Sequence, residues 1–357
     1  MRIEELREQI DLIDSQILEL LNRRAEIVVQ VGSEKARENR AFHAPDREEE
    51  IFERLRKQNR GPFPVHAVQA VYREILSACL SLEQPLKVVY LGPPATFTHM
   101  ASMRRFGRST EYVPVRSIGD IFAEAEKGRA DYGVVPVENS TEGVVSHTLD
   151  RFVDSPLRIT GEILMEVAHH LLSKSGERGR IRKIYSHPHA IAQSRKWLEE
   201  NMATVPLFEV ASTAAAAELA AAEDSTAAIA SDLAARLYDL KVVAGRIEDR
   251  PHNFTRFLII GMKDSPPSGR DKTSILFSIK DRVGALYRML QPFAEAEINL
   301  TKIESRPSRS RVWEYIFYVD FEGHAADAKV QAALDRLSEE CLFLKVLGSY
   351  PRERREG

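Results

Sequence analysis

Basic residues at helical spacing near the start of the chain could hold a small polyanion. Arg24 and Lys35 are 11 residues apart, which places them about 20° apart in projection, on one helix face. Arg7 lies about 100° from Arg24 on the same helix, so it would reach a partner chain's pocket more easily than its own chain's pocket. Guanidinium groups grip carboxylates in a bidentate manner, so converging cations would bind a polyanionic small molecule. The alternative, which spacing alone favours, is that these are solvated charges on helix faces.

The same segment carries further polar side chains that a helical bundle could bring to this site. Arg47 and Glu48 open a second helical stretch. Cys79 and Glu83 form an i,i+4 pair on a third stretch, so they share a helix face. Convergence of these groups on the bundle interior would complete the site.

A second group of candidates consists of polar clusters that follow short apolar runs. Residues 92–99 join such a run to a helical stretch, where backbone N–H groups and hydroxyls could hold an anion. Taken singly, these clusters are equally typical of turns and of capping by Ser, Thr and Asn. The other clusters lie at residues 134–147, 186–193, 212–217 and 248–257.

Histidines in this region raise the question of a metal site. His187 and His189 form a His-x-His pattern, but Pro188 and the lack of nearby Cys, Asp or Glu argue against metal binding. We expect the neighbouring pair His169 and His170 to be structural as well. The sequence therefore predicts neither a metal nor a cofactor.

Three helical stretches must position the first group of candidates. Residues 3–38 have helical periodicity interrupted only by Gly32, which costs about 1 kcal/mol. A helix of this length would measure about 54 Å, longer than a small monomeric bundle needs, so we expect helices shared between two chains. Further helices are predicted over residues 45–59 and 65–83.

An α/β region must position the polar clusters. Apolar runs predict strands at residues 87–91, 132–137, 181–185, 227–230 and 256–260. Helical stretches between them cover residues 97–106, 117–127, 189–200, 212–222 and 231–237. This alternation predicts a mostly parallel sheet whose ligands bind beyond the strand ends.

The last part of the chain has the pattern of a ferredoxin-like sandwich. Residues 263–272 are rich in Pro, Gly and Ser and predict a linker. The order that follows is βαββαβ, with Gly284 at a strand-to-helix junction where a backbone can approach a ligand closely. The predicted elements are a strand at 273–279, a helix at 284–295, strands at 298–304 and 312–321, a helix at 326–339 and a strand at 342–350.

Composition excludes several classes of protein. Lys and Arg total 50 against 53 Asp and Glu, a formal net charge of −3, which excludes a polycation that coats nucleic acid. No apolar run is long enough to cross a bilayer, and the charged N-terminus is not a signal peptide. The only cysteines, Cys79 and Cys341, cannot form a disulfide framework, so we expect a reduced, cytoplasmic protein without membrane or nucleic-acid partners.

Residues 1–84 resemble the all-helical chorismate mutase domain through the motifs LREQID, LLNRRAEI, VGSEKAREN, PDREEEIFERL and SACLSLEQ. The resemblance implies an intertwined helical dimer that rearranges chorismate to prephenate without nucleophile or metal. Ala44 stands where some members have Asp, and Cys79 where some have Ser. The substrate-binding residues implied by the motifs are Arg7, Arg24, Lys35, Arg47, Glu48, Cys79 and Glu83.

Particular roles follow from the same resemblance. Arg7 would be donated to the partner's site, and Glu48 would hold a substrate hydroxyl. Lys35 and Glu83 would be catalytic and bracket the ether oxygen of chorismate. Glu83 can donate a hydrogen bond to that oxygen only when it is protonated.

Residues 86–262 resemble prephenate dehydratase through the ordered set of polar clusters. The resemblance implies two α/β lobes with the active site in the cleft between them, where prephenate loses water and CO2 to give phenylpyruvate. Thr255 would be the catalytic donor to the departing hydroxyl. His189 stands where the family pattern has Gln. The implied substrate-binding residues are Thr96, Asn139, Ser186, Gln193, Ser212, Thr213, Thr255, Arg256 and Phe257.

Residues 272–351 resemble the ACT regulatory domain of phenylalanine-responsive enzymes. Val283 replaces a common proline. The resemblance implies that L-phenylalanine binds between ACT domains of two chains and inhibits the dehydratase, and that deletion of residues 270–357 leaves an active, phenylalanine-blind enzyme. A purely structural domain is the alternative. The implied effector-binding residues are Gly284, Ala285, Leu286, Glu304, Ser305, Arg306 and Pro307.

Together these observations predict a multidomain chain with an all-α mutase domain (1–84), a two-lobed α/β dehydratase domain (86–262) and an ACT domain (272–351). We expect a homodimer or homotetramer that uses chorismate and prephenate and responds to L-phenylalanine. Two rival readings are a dehydratase whose helical domain serves only dimerisation, and a non-catalytic amino-acid sensor. Intact Thr255-Arg256-Phe257 argues against the sensor.

Overall fold

The computed structural model describes residues 2–38, 43–279, 282–307 and 315–353. The chain forms two compact units. The first consists of Met1–Lys87 with Met103–Glu111, and the second of Val88–Ser102 with Tyr112–Gly357. The α/β region and the sandwich therefore share one unit, whereas the sequence predicted a domain for each.

Three helices build most of the first unit, and all three were predicted. Proline at the first helical position of α2 suits a helix start, because its missing N–H needs no partner there. On α1, Ile10, Ile13, Ile17 and Leu20 remain 49–64% exposed, so the helix presents an apolar stripe that its own chain leaves uncovered. The helices are α1 (Ile3–Arg37), α2 (Pro45–Gln58) and α3 (Val65–Glu83).

The second unit holds most of an α/β lobe, the first lobe, whose residues Met103–Glu111 belong to the first unit. Its elements up to the crossing into the next lobe are β1 (Lys87–Leu91), α4 (Phe97–Phe106), β2 (Glu111–Val115), α5 (Ile118–Glu126), β3 (Tyr132–Asn139), β4 (Gly143–Val144), α6 (Ser146–Phe152) and β5 (Arg158–Glu166).

A second lobe follows, and the chain then returns to the first. The elements of the second lobe are β6 (His170–Ser173), a 3-10 turn (Arg178–Arg180), β7 (Lys183–Ser186), α7 (Pro188–Gln193), α8 (Arg195–Asn201), β8 (Leu207–Glu209), α9 (Thr213–Ala222), β9 (Thr226–Ala230), α10 (Asp232–Leu237) and β10 (Lys241–Ala244). The returning strand is β11 (Phe254–Gly261).

The sandwich region completes the unit in the predicted βαββαβ order. Its elements are β12 (Asp271–Ser278), α11 (Ala285–Glu295), β13 (Leu300–Pro307), β14 (Tyr315–Glu322), α12 (Ala328–Glu340) and β15 (Phe343–Pro351). Part of the predicted strand at 312–321 lies outside the described residues.

The lobe sheets are mixed, so the prediction of a mostly parallel sheet was wrong. In the first lobe the order is β2-β1-β3-β11-β5, with β1 parallel to β3. Strand β11 returns from the second lobe and inserts antiparallel between β3 and β5. The second-lobe sheet has the order β10-β6-β9-β7-β8, with β7 parallel to β8 and β9, and β6 antiparallel to β9 and β10. An apolar run buried on both faces carries no signal of strand direction, which explains the error.

The sandwich sheet is antiparallel, in the order β13-β14-β12-β15, and it packs on the first lobe. Leu276, Tyr318 and Leu347 of the sandwich belong to the same buried cluster as Val135 and Leu258 of the first lobe. One buried cluster therefore spans both regions, and a second lies within the sandwich, between its sheet and its helices.

Strands β15 and β5 approach each other closely at a glycine. A Cβ added to Gly348 would lie 2.2 Å from the Ile159 carbonyl oxygen. No helix within the described residues is long and apolar enough to cross a membrane.

Candidate functional site

A charged pair joins α1 and α3 in the first unit. Lys35 Nζ lies 2.9 Å from Glu83 Oε2, and the Glu83 side chain is 7% exposed. Gly32 makes this approach possible, because a Cβ there would lie 3.0 Å from Glu83 Cγ. The two residues predicted to act on one substrate atom are thus brought together, and a substrate atom between them would have to part the pair.

The other predicted cations of this unit have different surroundings. Arg24 Nη1 is buried and has no hydrogen-bond partner among the described residues. Arg7 is exposed on α1, and Arg47 pairs with Glu50 at 2.7 Å. A buried guanidinium nitrogen without a partner is costly, so Arg24 is the cation here that most needs an anionic ligand.

Glu48 is engaged on both carboxylate oxygens. Its Oε1 lies 3.2 Å from His43 Nε2, and its Oε2 accepts a hydrogen bond from Arg105 Nη1 at 3.0 Å. Burial alone would raise the pKa of Glu48, but the His43 hydrogen bond and the Arg105 charge lower it to about 2. A substrate hydroxyl would compete with these partners. Arg105 was missed because it lies on α4, 57 residues away.

Cys79, the remaining residue predicted for this site, is 7% exposed on α3. It lies one turn before Glu83 on the same helix face, so the predicted i,i+4 relation holds.

A network of amides surrounds Thr255 in the second unit. Asn139 Nδ2 lies 2.8 Å from both Thr255 Oγ1 and Asn253 Oδ1. Asn253 Nδ2 donates in turn to Gln193 Oε1 at 2.9 Å. The pairing of β11 with β3 places Thr255 directly opposite Asn139. The structure therefore brings together three predicted residues through one, Asn253, that the sequence analysis did not single out.

Gln193 also contacts residues that sequence reasoning missed or treated as structural. His169 Nε2 lies 2.8 Å from Gln193 Oε1, and Gln193 Nε2 donates to Glu142 Oε1 at 2.8 Å. Glu142 pairs with His189 as well. Burial lowers the pKa of His169, so its ring is neutral at neutral pH. His169 is thus part of the network around Thr255. In the sequence, only its position among other polar residues could have indicated this role.

A cavity of about 530 Å³ lies beside this network. Thr141, Glu142, Gln193 and Asn253 line it together with basic residues that include Lys196. Among the described residues there is no group of three or more His, Cys, Asp or Glu that could hold a metal ion.

The other predicted hydroxyls of the cleft are bonded to backbone groups. Thr96 Oγ1 donates to the Leu91 carbonyl at 2.9 Å, where β1 leads into α4. Ser212 caps α9 by accepting from the Ala215 N–H. Their contacts are those of turns and caps, and Thr213, the first residue of α9, is 8% exposed.

Ser186 and Phe257 are buried. Ser186 is 0% exposed and donates to the Ile229 carbonyl at 2.7 Å. Phe257 is 1% exposed on β11. In this conformation neither side chain offers a surface to a ligand, so their predicted substrate contacts do not fit these positions.

Arg256 also departs from its predicted role. Its side chain lies on the face of β11 opposite to Thr255, because successive strand residues alternate. Its Nε donates to Glu162 Oε2 at 2.8 Å, its Nη1 to Asp320 Oδ2 at 2.6 Å and its Nη2 to Tyr350 Oη at 2.9 Å. Arg256 thus joins the first lobe to the sandwich region and does not face the amide network.

The sandwich motifs lie at one end of their sheet. Ser278, which precedes the Gly284 turn, and Arg306 are both opposite Ile316 on the intervening strand β14. Gly284 has φ of +74°, a conformation that favours glycine, and it precedes α11.

Burial differs among the residues of the two motifs. Ala285 is buried and Leu286 is 38% exposed. On β13, Glu304 and Arg306 are half-buried and alternate with the exposed Ser305 and Pro307. Arg306 pairs with Asp150 of the first lobe at 3.3 Å.

Comparison with known proteins gives three family matches in chain order. Residues 6–84 match chorismate mutase type II, residues 88–265 match prephenate dehydratase, and residues 273–339 match the ACT domain. Among solved structures, a prephenate dehydratase from Arthrobacter aurescens in complex with L-Phe is 35% identical, with a TM-score of 0.69 over 74% of this chain and 90% of that chain.

Curated relatives extend the similarity to nearly the whole chain. The bifunctional chorismate mutase/prephenate dehydratase of Aquifex aeolicus is 51% identical over 98% of both chains. The protein of the same name from Pseudomonas aeruginosa is 44% identical, again over 98% of both. The chain therefore belongs to the family of bifunctional chorismate mutase/prephenate dehydratases that carry an ACT domain.

Proposed function

We propose that the chain rearranges chorismate to prephenate in its helical unit and converts prephenate to phenylpyruvate at the Thr255 network, under feedback by L-phenylalanine. The observation that carries the proposal is the hydrogen-bonded set of Thr255, Asn139, Asn253 and Gln193. It holds the one hydroxyl that the second reaction needs.

The mutase reaction requires grip and charge stabilisation. The enzyme holds both carboxylates of chorismate in a compact conformer while the ether C–O bond breaks and a new C–C bond forms within the same molecule. Arg24 supplies a buried, unpartnered nitrogen for one carboxylate. Lys35 and Glu83 part to admit the ether oxygen, and the Lys35 ammonium stabilises the negative charge that develops there.

The dehydratase reaction requires one proton at the leaving oxygen. The bond from the ring to its carboxylate breaks, the electron pair enters the ring, and the ring C–O bond breaks as CO2 and water leave. Thr255 donates a hydrogen bond to the departing hydroxyl, which takes up one proton from solvent and leaves as water. Aromatisation drives the reaction, so modest acid catalysis is sufficient.

We further infer a homodimer or a larger homo-oligomer in the cytoplasm. The apolar stripe of Ile10, Ile13, Ile17 and Leu20 on α1 supports pairing of two chains along this helix. In such a dimer Arg7, Arg47 and Glu48 complete the mutase site, with Arg7 coming from the partner. Cys79 is buried one turn before Glu83 on α3.

L-phenylalanine is proposed to bind at the sandwich motifs, between two chains. Gly284, Ala285 and Leu286 lie at the same end of the sheet as Glu304, Ser305, Arg306 and Pro307. The half-buried Arg306 contacts the first lobe through Asp150. Binding of L-phenylalanine at this end of the sheet can therefore be coupled to the dehydratase site.

The test is a pair of steady-state assays on the purified full chain, for prephenate and for phenylpyruvate formation, with and without L-phenylalanine. Both activities are expected. Phenylalanine is expected to lower the apparent affinity of the dehydratase for prephenate about 5–150-fold. Absence of the mutase would support a helical region used only for dimerisation, and absence of both activities would support a sensor.

The effector site has a separate test. Gly284→Ala places a Cβ on a residue with φ of +74°, so it should weaken phenylalanine inhibition and leave both activities in place. Unchanged inhibition would place the effector elsewhere, for example at the dehydratase active site as a competitor.

A further inference from the structure

The direction of hydrogen bonding around Thr255 is fixed by the backbone. Asn139 Oδ1 accepts from the backbone N–H groups of Thr141 at 2.9 Å and Glu142 at 3.1 Å. Backbone N–H groups can only donate, so this end of the Asn139 amide is its oxygen. Asn139 Nδ2 therefore donates its two hydrogens to Thr255 Oγ1 and Asn253 Oδ1.

The orientation of the Asn253 amide is fixed by its neighbour Asn139. Its oxygen is taken by Asn139, so its nitrogen must face Gln193 Oε1, at 2.9 Å. Gln193 Oε1 also faces His169 Nε2, and its amide nitrogen donates to the Glu142 carboxylate, which can only accept when ionised. From Asn139 to Glu142 each amide thus donates to the next group, and a second bond from Asn139 runs the other way, to Thr255.

The consequence falls on the hydroxyl hydrogen of Thr255. An amide nitrogen does not accept, so Thr255 Oγ1 is the acceptor in its bond with Asn139. Among the described residues this hydroxyl donates no hydrogen bond to a protein acceptor, so its hydrogen remains available to a ligand. A hydroxyl that accepts one hydrogen bond is also a better donor in the next.

Asn253 is the link on which this arrangement depends. It is 4% exposed, and its backbone carbonyl is held by the Val167 N–H at 2.7 Å. Its side chain joins Asn139 on β3 of the first lobe to Gln193 on α7 of the second lobe. It is therefore the amide through which the two lobes share one hydrogen-bond chain that ends at Thr255.

We propose that Asn253 is a positioning residue of the dehydratase, which locks the Asn139 amide so that Thr255 presents its hydrogen to the departing hydroxyl of the substrate. The inference rests on the proposed dehydratase function and deepens it. Without Asn253, the Thr141 and Glu142 N–H groups still hold the oxygen of the Asn139 amide, but one hydrogen of its Nδ2 has no acceptor. The nitrogen end of the amide can then shift, and the Thr255 hydroxyl that accepts from it loses its fixed position. Misplacement of a reacting group by about 1 Å can cost 10²-fold in rate.

The experiment is a double-mutant cycle on the full chain with prephenate as substrate. Asn253→Ala should lower kcat of the dehydratase about 10- to 100-fold with little change in KM. In a Thr255→Ala background the same substitution should cost less than about threefold, because Asn253 acts through Thr255. Equal losses in both backgrounds, or a rise in KM at constant kcat, would overturn the inference.

Controls separate positioning from folding. Asn201→Ala removes an amide of similar type, bonded to the Trp197 carbonyl at 2.9 Å, and should leave kcat unchanged. Mutase activity and the thermal midpoint report whether each variant is folded. If Asn253→Ala does not fold, Asn253→Ser takes its place in the cycle, and loss of fold in both variants would make Asn253 a folding residue and overturn the proposal.

The wild-type chain distinguishes two kinds of failure. An inactive wild-type dehydratase would refute the proposed function itself. An active wild type with a fully active Asn253→Ala variant would refute only the positioning role.

Discussion

The helical unit and the cleft of the second unit hold their polar groups in opposite ways. In the helical unit, Lys35 and Glu83 are a charged pair, and Arg24 has a buried nitrogen without a partner among the described residues. Around Thr255, neutral amides such as Asn139 are hydrogen-bonded at both their oxygen and their nitrogen. A rearrangement that grips a dianion needs uncompensated charge, whereas an elimination driven by aromatisation needs only one correctly directed hydrogen.

The largest expected effect tests whether charge in the helical unit is completed by a second chain. Arg24→Ala and Arg7→Ala should each lower mutase activity by about 10³-fold, because a desolvated charge pair with the substrate is lost. Mixing the two variants with subunit exchange should restore about a quarter of wild-type activity, since each heterodimer would carry one intact site. Dehydratase activity of the same samples serves as the control. No recovery despite proven exchange would place Arg7 in its own chain's site.

The next effect tests the neutral site. Thr255→Ala should lower kcat of the dehydratase about 10²–10³-fold, the usual loss for one well-placed donor. Mutase activity should stay near wild type. Thr255→Ser keeps the hydroxyl and is the matched control, expected to retain most activity. A Thr255→Ala variant with half of the dehydratase activity would contradict the assignment.

A smaller effect separates charge from hydrogen bonding in the mutase. Glu83→Gln keeps a hydrogen-bond donor of the same shape and removes the carboxylate beside Lys35, so mutase activity should stay within about tenfold of wild type. Glu83→Ala should be less active at every pH, because nothing then contacts the ether oxygen from α3. A Glu83→Gln variant no more active than Glu83→Ala would remove the hydrogen-bonding role of Glu83.

The smallest effect concerns stability and uses the lowered pKa of Glu48. A carboxyl whose pKa falls from 4.5 to about 2 on folding stabilises the fold above pH 4.5 and loses that contribution as pH falls towards 2. Glu48→Gln should therefore melt below the wild type at neutral pH, and the difference should shrink in acid. Glu50→Gln alters an exposed pair with Arg47 and should shift the midpoint little. A constant difference across this pH range would mean that ionisation of Glu48 contributes nothing.

The sequence was sufficient for the elements that periodicity marks strongly. The three helices and the βαββαβ order follow from spacing of apolar residues, and both are present. The antiparallel insertion of β11 was missed because an apolar run does not encode strand direction. Short strands such as β8 and β10 were missed because they carry exposed positions and little apolar signal.

The candidate site was predictable in its residue types and not in its connections. Asn139, Gln193 and Thr255 come from separate stretches of the chain, and only the fold shows that Asn253 joins them. Arg256 was assigned to the cleft because it adjoins Thr255 in sequence. Strand alternation sends the two side chains to opposite faces, and only the packed sandwich reveals what Arg256 contacts.

The contacts of Arg256 and the shared buried cluster limit which changes to the sandwich region the protein can tolerate. A break at residue 270 would remove Asp320 and Tyr350, the partners of two Arg256 nitrogens, and would leave the Arg256–Glu162 pair in a half-opened interior with part of its hydrogen bonding lost. The same cut would divide the shared buried cluster. The expectation that deletion of residues 270–357 yields an active, deregulated enzyme therefore gives way to another. We expect point substitutions to be able to remove feedback inhibition without unfolding the protein. Truncation of the regulatory segment, or its exchange with that of another gene, should impair folding.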